Sequence, residues 1–345
     1  MRAAYITGLA GESLAGGERA LLAASRPAGI ILFARNCAAP AQIIRLVADA
    51  KTAIGADDVL VLIDQEGGRV QRLRPPQWRD LPPASAYGAL YTHEPARAMQ
   101  CARLAARLTA RDLRALGINT NCAPVVDVPI MGAHEIIGDR AYGMSWQQIA
   151  ALGRAVCEGY MAGGVVPGIK HIPGHGRATA DSHLELPIVD ASRTELEASD
   201  FAPFHALREM PAAMTAHVVF SALDATLPAS TSVHVTEDVI RGKIGFDGLL
   251  MSDDIGMKAL GGPFLERAAS VIRAGSDVAL HCSGDLTEME AVATGVPALS
   301  GASLRRFSQC IEVTRRVVSF DELAAIAALS EVATHATVSP RPAGA

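Results

Sequence analysis

The sequence has no basic cluster, no paired-cysteine motif and no long uncharged apolar run. Its 31 lysines and arginines are scattered among 36 acidic residues, which argues against a nucleic-acid-binding surface or a polybasic membrane patch. The six cysteines lack CxxC or zinc-finger spacing, a pattern typical of reduced, mostly buried thiols. The N-terminal segment MRAAYITGLAGESL contains no long apolar stretch, and no run has the length of a membrane span. We therefore expect a cytoplasmic protein that acts on a small polar substrate. We also expect it to be a monomer.

What the sequence does have is a regular alternation of short apolar runs with longer Ala-rich amphipathic segments. This alternation is typical of parallel strands connected by helices. The predicted strands are residues 3–7, 29–33, 59–63, 119–126, 168–171, 212–218, 249–252 and 277–281. The predicted helices are residues 41–54, 96–116, 146–161, 194–210 and 258–274, with further helices from 304 onward.

Eight repeats of strand and helix predict an α/β fold, a closed (β/α)8 barrel of the TIM type. The alternative is an open doubly wound sheet, which usually carries a Gly-rich phosphate-binding turn after its first strand. The segment GLAG at residues 8–11 is not a GxGxxG sequence, so the barrel is favoured. No change in composition marks a linker, and we expect one domain over residues 1–337 with a flexible tail over 338–345.

Polar segments follow four of the predicted strands, where a barrel of this type assembles its active site. They are IDQEGGRVQR (63–72), IIGDRAYG (136–143), KHIPGHG (170–176) and MSDDIGM (251–257). We expect their side chains to converge on one mouth of the barrel.

The loop after the fifth strand contains His171, His175 and, just beyond the KHIPGHG turn, His183. These histidines suggest a metal site, but the HExxH spacing on a helix is missing and the Pro and Gly residues impose an irregular loop. We therefore expect no metal and no other cofactor. Asp181 lies two residues before His183, and a carboxylate beside an imidazole prepares it for general acid and base catalysis. A hydrogen bond that only stabilises the loop explains this pair equally well.

Asp253 and Asp254 end the seventh strand, where successive side chains alternate in direction. One carboxylate is therefore expected to point into the mouth, where it could attack an anomeric carbon, stabilise a cation or bind a metal. Asp254 could instead cap a helix that begins near Met257. The residues alone indicate a barrel hydrolase or lyase.

The segments KHIPGHG followed by DSH, together with DQEGGRVQR, IGDRAYG and GFDGLLMSDDIGM, resemble the bacterial β-N-acetylhexosaminidases of glycoside hydrolase family 3. They occur in the family's order over about residues 3–283. The resemblance implies an exo-acting enzyme that releases N-acetylglucosamine from GlcNAc-1,6-anhydro-MurNAc, bare or peptide-bearing, during peptidoglycan recycling.

The resemblance also implies a role for each matched residue. Asp253 would be the nucleophile that forms a glycosyl-enzyme intermediate, His183 the acid/base and Asp181 its orienting partner. The residues that would hold the sugar are Asp64, Arg72, Arg140, Lys170 and His171. An imidazole that titrates near neutrality can both protonate the leaving oxygen and deprotonate water. Gly174 and Gly176 would give the loop the freedom to bring His183 to the bond.

Arg177 and Ala178 depart from the family's pattern, which often has an acidic or amide residue and then Thr after PGHG. We expect a difference in the closed loop or in its contact with the leaving group. His175 is expected to stabilise its turn and His217 to be a hydrogen-bonded core residue. Two other functions stay open: a sugar sensor that has lost catalysis, and a phosphorylase, since a histidine acid/base does not repel phosphate as a carboxylate would.

Overall fold

The computed structural model describes residues 1–178, 180–182 and 184–336. Eight parallel strands form a closed barrel in which each strand pairs with the next along the chain and the last pairs with the first. They are β1 (Ala3–Gly8), β2 (Pro27–Leu32), β3 (Leu60–Ile63), β4 (Thr120–Asn121), β5 (Val166–Ile172), β6 (Ala212–Thr215), β7 (Leu249–Asp254) and β8 (Val278–His281). All eight predicted strands are present, and the predicted (β/α)8 barrel is confirmed.

Helices surround the barrel and cover the outer faces of its strands. They are α1 (Gly16–Ser25), α2 (Pro40–Ile54), α3 (Ala84–His93), α4 (Pro95–Ala115), α5 (Trp146–Ala162), α6 (Arg193–Ala198), α7 (Ala202–Ala206), a π-helix (Val235–Lys243), α8 (Phe264–Arg273), α9 (Leu286–Gly295), α10 (Gly301–Thr314) and α11 (Glu322–Ala336). None of the helices in the described ranges combines the length and apolarity needed to cross a membrane.

The alternation of side chains along each strand builds two apolar layers. In β3, Leu60 and Leu62 point into the barrel, whereas Val61 and Ile63 pack between the strands and the helices. Every residue of β3 is buried. This burial on both faces explains why the strands appear in the sequence as continuous apolar runs rather than as alternating ones.

Two predicted helices have different bounds in the structure. The prediction of one helix over 194–210 is wrong: α6 ends at Ala198 and α7 begins at Ala202. Pro203 lies in the first turn of α7, where a missing N–H costs nothing, whereas inside a longer helix it would break the hydrogen-bond ladder. The helix predicted from 258 begins only at Phe264, because Gly262 adopts a φ of +88° and Pro263 precedes the first turn.

Helices α1, α3 and α9 and the π-helix were not predicted. The flexible tail predicted for residues 338–345 lies outside the described residues, and the boundary of the single domain at residue 337 stays a prediction.

Candidate active site

A pocket of about 470 Å³ opens at the carboxyl ends of the barrel strands. The apolar surface of the pocket comes from Ile31, Met214 and Leu280. These side chains belong to the apolar layer inside the barrel. Six of the eight predicted site residues line the pocket: Asp64, Arg72, Arg140, Lys170, His171 and Asp253. Asp181 is partly buried but is not among the residues that line the pocket. His183 lies outside the described residues. The predicted convergence of strand ends is therefore present in the fold.

Five charged side chains in this pocket form a continuous chain of ion pairs, called here the charge network. Arg72 Nη2 lies 3.1 Å from Asp64 Oδ2, and Lys170 Nζ lies 2.8 Å from Asp64 Oδ1. The same Nζ lies 2.6 Å from Glu66 Oε1, and Arg140 pairs with both Glu66 oxygens at 2.8 and 2.9 Å. Because each group has an oppositely charged partner, the network can exist in a largely buried place.

Mutual attraction keeps the charge network ionised. Burial alone would raise the pKa of Asp64, but Lys170 and Arg72 outweigh it and hold this pKa well below its usual range. Burial opposes ionisation of Glu66 in the same way, and Arg140 and Lys170 lower its pKa to about 2. Burial would lower the pKa of Lys170, but the two carboxylates raise it above its usual value. Fixed carboxylate acceptors and ammonium and guanidinium donors are what hydroxyl and acetamido groups of a sugar require.

His171 is oriented by a carboxylate that sequence reasoning missed. Asp127 follows β4, is fully buried, and its Oδ2 lies 2.7 Å from His171 Nδ1. Its Oδ1 also accepts the backbone N–H groups of His171 at 3.1 Å and His175 at 2.7 Å. Burial would raise the pKa of Asp127, but His171 lowers it, so the carboxylate stays ionised. This pair fixes the ring plane of His171 at the pocket wall.

Asp253 and Asp254 occupy different environments at the end of β7. Asp253 lines the pocket, and its Oδ1 accepts the Asp254 N–H at 2.8 Å. Burial would raise the pKa of Asp253, but His171 and His217 lower it, which leaves the ionised form suited to nucleophilic attack. Asp254 also lines the pocket, but its Oδ1 is held by the backbone, since it accepts the N–H groups of Gly256 at 2.9 Å and Cys282 at 3.1 Å.

The alternative role of Asp254 as a helix cap is wrong, because the segment after it is a turn and α8 begins only at Phe264. Burial raises the pKa of Asp254, in contrast to its neighbour. The environments of the two adjacent carboxylates therefore shift their pKa values in opposite directions. Such a difference is expected where only one of two neighbouring carboxylates acts as the nucleophile.

The loop after β5 is anchored at its beginning. An added Cβ at Gly176 would lie 2.0 Å from the Val128 carbonyl oxygen, so glycine is needed there for close approach rather than for freedom. Arg177 Nε donates to Asp200 Oδ2 at 2.7 Å, which gives the departure from the family's pattern a structural role. His217 lies outside this loop, fully buried, with both ring nitrogens hydrogen-bonded, to Ser230 Oγ and to the Asp254 carbonyl.

Two site residues missed by sequence reasoning carry recognisable signals. Glu66 lies in the same DQEGG segment as Asp64, two positions later, and so points to the same side of the chain. Asp127 is a lone charge inside the apolar run APVVDVP, where an unpaired carboxylate would be costly. Within the described ranges, no group of three or more His, Cys, Asp or Glu side chains is arranged to hold a metal ion.

Comparison with known proteins agrees with this arrangement. Residues 11–317 match the family described as Glycosyl hydrolase family 3 N terminal domain. A Beta-hexosaminidase of Alkalilimnicola ehrlichii is 40% identical over 280 residues, covering 80% of this chain and 79% of that protein. A Beta-hexosaminidase of Xanthomonas euvesicatoria pv. vesicatoria is 37% identical over 324 residues, covering 93% and 94%. The crystal structure of NagZ from Neisseria gonorrhoeae in complex with N-trifluoroacetyl-D-glucosamine has a TM-score of 0.85 and 32% identity, covering 97% of this chain and 98% of that one.

The closed barrel, its polar mouth pocket and these similarities define a glycoside hydrolase, whose substrate is a saccharide. The chain belongs to glycoside hydrolase family 3. The family predicted from the strand-end motifs is thereby confirmed. The catalytic and sugar-binding roles of the individual residues stay predictions.

Proposed function

We propose that this chain is a retaining exo-β-N-acetylglucosaminidase that releases terminal N-acetylglucosamine from GlcNAc-1,6-anhydro-MurNAc and its peptide-bearing forms. The observation that carries the proposal is an ionised carboxylate, Asp253, in the same pocket as the charge network. A pocket of about 470 Å³ is within the usual range for sites that enclose a small ligand. The Beta-hexosaminidase names of the relatives support the choice of an N-acetylhexosamine as the sugar.

In the first step, Asp253 attacks the anomeric carbon while His183 donates a proton to the leaving oxygen. The C–O bond to the leaving sugar breaks, and an ester bond between the sugar and Asp253 forms with inversion. Asp181 would hold His183 in the tautomer and orientation that the proton transfer needs. The charge network holds the sugar hydroxyls and does not take part in bond making.

In the second step, His183 accepts a proton from water, and the water oxygen attacks the anomeric carbon. The ester bond to Asp253 breaks with a second inversion, so the released sugar retains its configuration. The low pKa of Asp253 favours this departure, because a stable carboxylate is a good leaving group. The reaction would take place in the cytoplasm, on fragments taken up from the cell wall.

Trapping of the intermediate tests this proposal most directly. A fluorinated N-acetylglucosaminyl donor slows breakdown of the glycosyl-enzyme, so mass spectrometry of the intact protein should show one added sugar. Peptide mapping should then place the label on Asp253. The adjacent carboxylate provides the control: Asp254→Asn should still be labelled at residue 253, whereas Asp253→Asn should take up no label.

Turnover of an aryl β-N-acetylglucosaminide supplies the second measurement. Asp253→Asn is expected to lose at least about a thousandfold in kcat, because a neutral amide cannot form the ester intermediate. Label on another residue, or wild-type turnover no faster than that of Asp253→Asn, would overturn the nucleophile assignment. Products formed with and without phosphate distinguish hydrolysis from phosphorolysis.

A further inference from the structure

The loop after β5 has a fixed beginning and a distant limb that leads into position 183. The beginning is held by the bond from the His175 N–H to buried Asp127 and by the close contact of Gly176 with Val128. The distant limb comprises residues 180–182, and Asp181 accepts the N–H groups of Leu184 and Glu185 through its carbonyl oxygen. Whatever aligns these two parts also determines where the chain enters position 183.

One side-chain contact joins these two parts inside the pocket wall. His175 Nε2 lies 3.2 Å from Ser182 Oγ, and both residues are buried and line the pocket. The His175 ring also contacts the edge of the His171 ring, with centroids 5.6 Å apart. The contact therefore ties the distant limb to the same assembly that orients His171.

The chemistry of His175 makes this contact directional. Burial and the neighbouring His171 lower the pKa of His175 to about 4, so the ring is neutral at physiological pH and offers one donor and one acceptor. Nδ1 is buried and has no hydrogen-bond partner within the described residues. The bond to Ser182 is thus the one polar contact of the ring that these residues supply, and losing it would leave both ring nitrogens without a partner among them.

We propose that His175 and Ser182 are positioning residues for proton transfer, whose mutual hydrogen bond sets the placement of the segment that carries His183. The inference rests on the proposed function, in which His183 is the acid/base. A group displaced by about 1 Å from its reactive geometry can cost on the order of a hundredfold in rate. Neither His175 nor Ser182 needs to touch the reacting atoms for such an effect.

The leaving group of the substrate distinguishes positioning of an acid from a merely structural role. A 2,4-dinitrophenyl leaving group departs with little help from a proton, whereas an alkyl leaving group needs one. Ser182→Ala should therefore lower kcat/KM on an alkyl β-N-acetylglucosaminide about tenfold more than on the 2,4-dinitrophenyl compound, consistent with the size of general acid catalysis. A general loss of folded protein would lower both values by the same factor.

Three further variants make the result interpretable. Ser182→Thr keeps the hydroxyl and should regain most of the alkyl-substrate activity, and His175→Asn should reproduce the selective loss. Ser25→Ala is the matched control, because it removes a comparable hydroxyl bond, 2.6 Å to Tyr5 Oη, at the end of α1 away from the pocket. Any change that Ser25→Ala causes in kcat/KM should be the same for both leaving groups. Thermal melting of each variant identifies any that do not fold.

His183→Ala separates failure of this inference from failure of the proposed function. If His183→Ala shows strong leaving-group dependence and neither Ser182→Ala nor His175→Asn does, the positioning role is overturned and the acid/base assignment stands. If His183→Ala shows none, the proposed function loses its acid, and the inference falls with it. Equal losses of Ser182→Ala on both substrates would also overturn the positioning role.

Discussion

Replacing Asp127 with asparagine would remove a negative charge from a fully buried position while keeping the shape of the side chain. Asp127 Oδ1 could still accept the backbone N–H groups of His171 and His175. The new amide would then point its NH2 group at His171 Nδ1, which now lies 2.7 Å from a carboxylate oxygen. A donor at that place requires a bare Nδ1, so His171 would be forced into the tautomer with its proton on Nε2.

The size of the effect follows from the bond that is lost. A hydrogen bond to a charged group contributes about 1.5–3 kcal/mol, so Asp127→Asn should lower the free energy of unfolding by about 2 kcal/mol. The same energy lost in the transition state lowers kcat/KM about 30-fold, at tenfold per about 1.4 kcal/mol.

The pH dependence of the stability difference has a definite sign. His171 lowers the pKa of Asp127 in the folded protein, so the carboxylate contributes stability above its unfolded pKa of about 3.9 and loses it as the pH falls through the folded value. The difference between wild type and Asp127→Asn should therefore be largest near neutral pH and shrink in acid.

Urea unfolding at pH 7 and at about pH 3, below the unfolded pKa of Asp127, together with kcat/KM on an aryl substrate, measures both effects. Asp139→Asn is a matched control at the same mouth, since Asp139 is partly exposed and pairs with Arg69 at 2.9 Å. An exposed pair of this kind contributes about 0–1 kcal/mol. If Asp127→Asn is within about 0.5 kcal/mol of wild type and within twofold in kcat/KM, the role given to the Asp127 pair with His171 is wrong.

Two further changes probe the charge network and the loop. Lys170→Met leaves the carboxylates of Asp64 and Glu66 without their shared ammonium, which should lower the free energy of unfolding in urea by about 3–5 kcal/mol at pH 7. The loss should be smaller in acid, because the carboxylates become protonated. The exposed control Lys258→Met should lower it by less than about 0.5 kcal/mol. Gly176→Ala should lower the melting temperature by several degrees, because its Cβ would lie 2.0 Å from Val128 O, whereas Gly11→Ala, with open space around it, should not. Equal values for a variant and its control would contradict the contact assigned to it.

The barrel could be predicted because its strands are buried on both faces and their ends carry polar segments. Residues of the site were predictable where a motif placed them at or just after the carboxyl end of a strand, as with Asp64, Lys170 and Asp253. Asp127 was missed although it directly follows the predicted strand 119–126, because it is a lone charge in an apolar run without a recognisable motif, and only the fold reveals which donors compensate its charge. Such compensation depends on contacts between residues 44 or more positions apart.

Glycine and helix boundaries were less predictable for a related reason. Gly176 in sequence indicates backbone freedom, but the structure shows that the Val128 carbonyl occupies the space of a Cβ. Local sequence does not distinguish these two needs for glycine, since the second depends on a neighbouring loop. The periodic pattern over 194–210 likewise predicts one helix, although Pro203 allows a helix to begin beside it and not to continue through it.

The pocket has two parts: one is formed by side chains at the ends of the barrel strands, and the other by the loop after β5. A ligand can contact the first part alone or both parts. An inhibitor that fills only the sugar site would be held by side chains at strand ends, whatever the loop does. If the proposed roles hold, compounds that sense the loop must extend past the sugar site to the segment around Arg177 and Ser182, which lies beyond the strand ends.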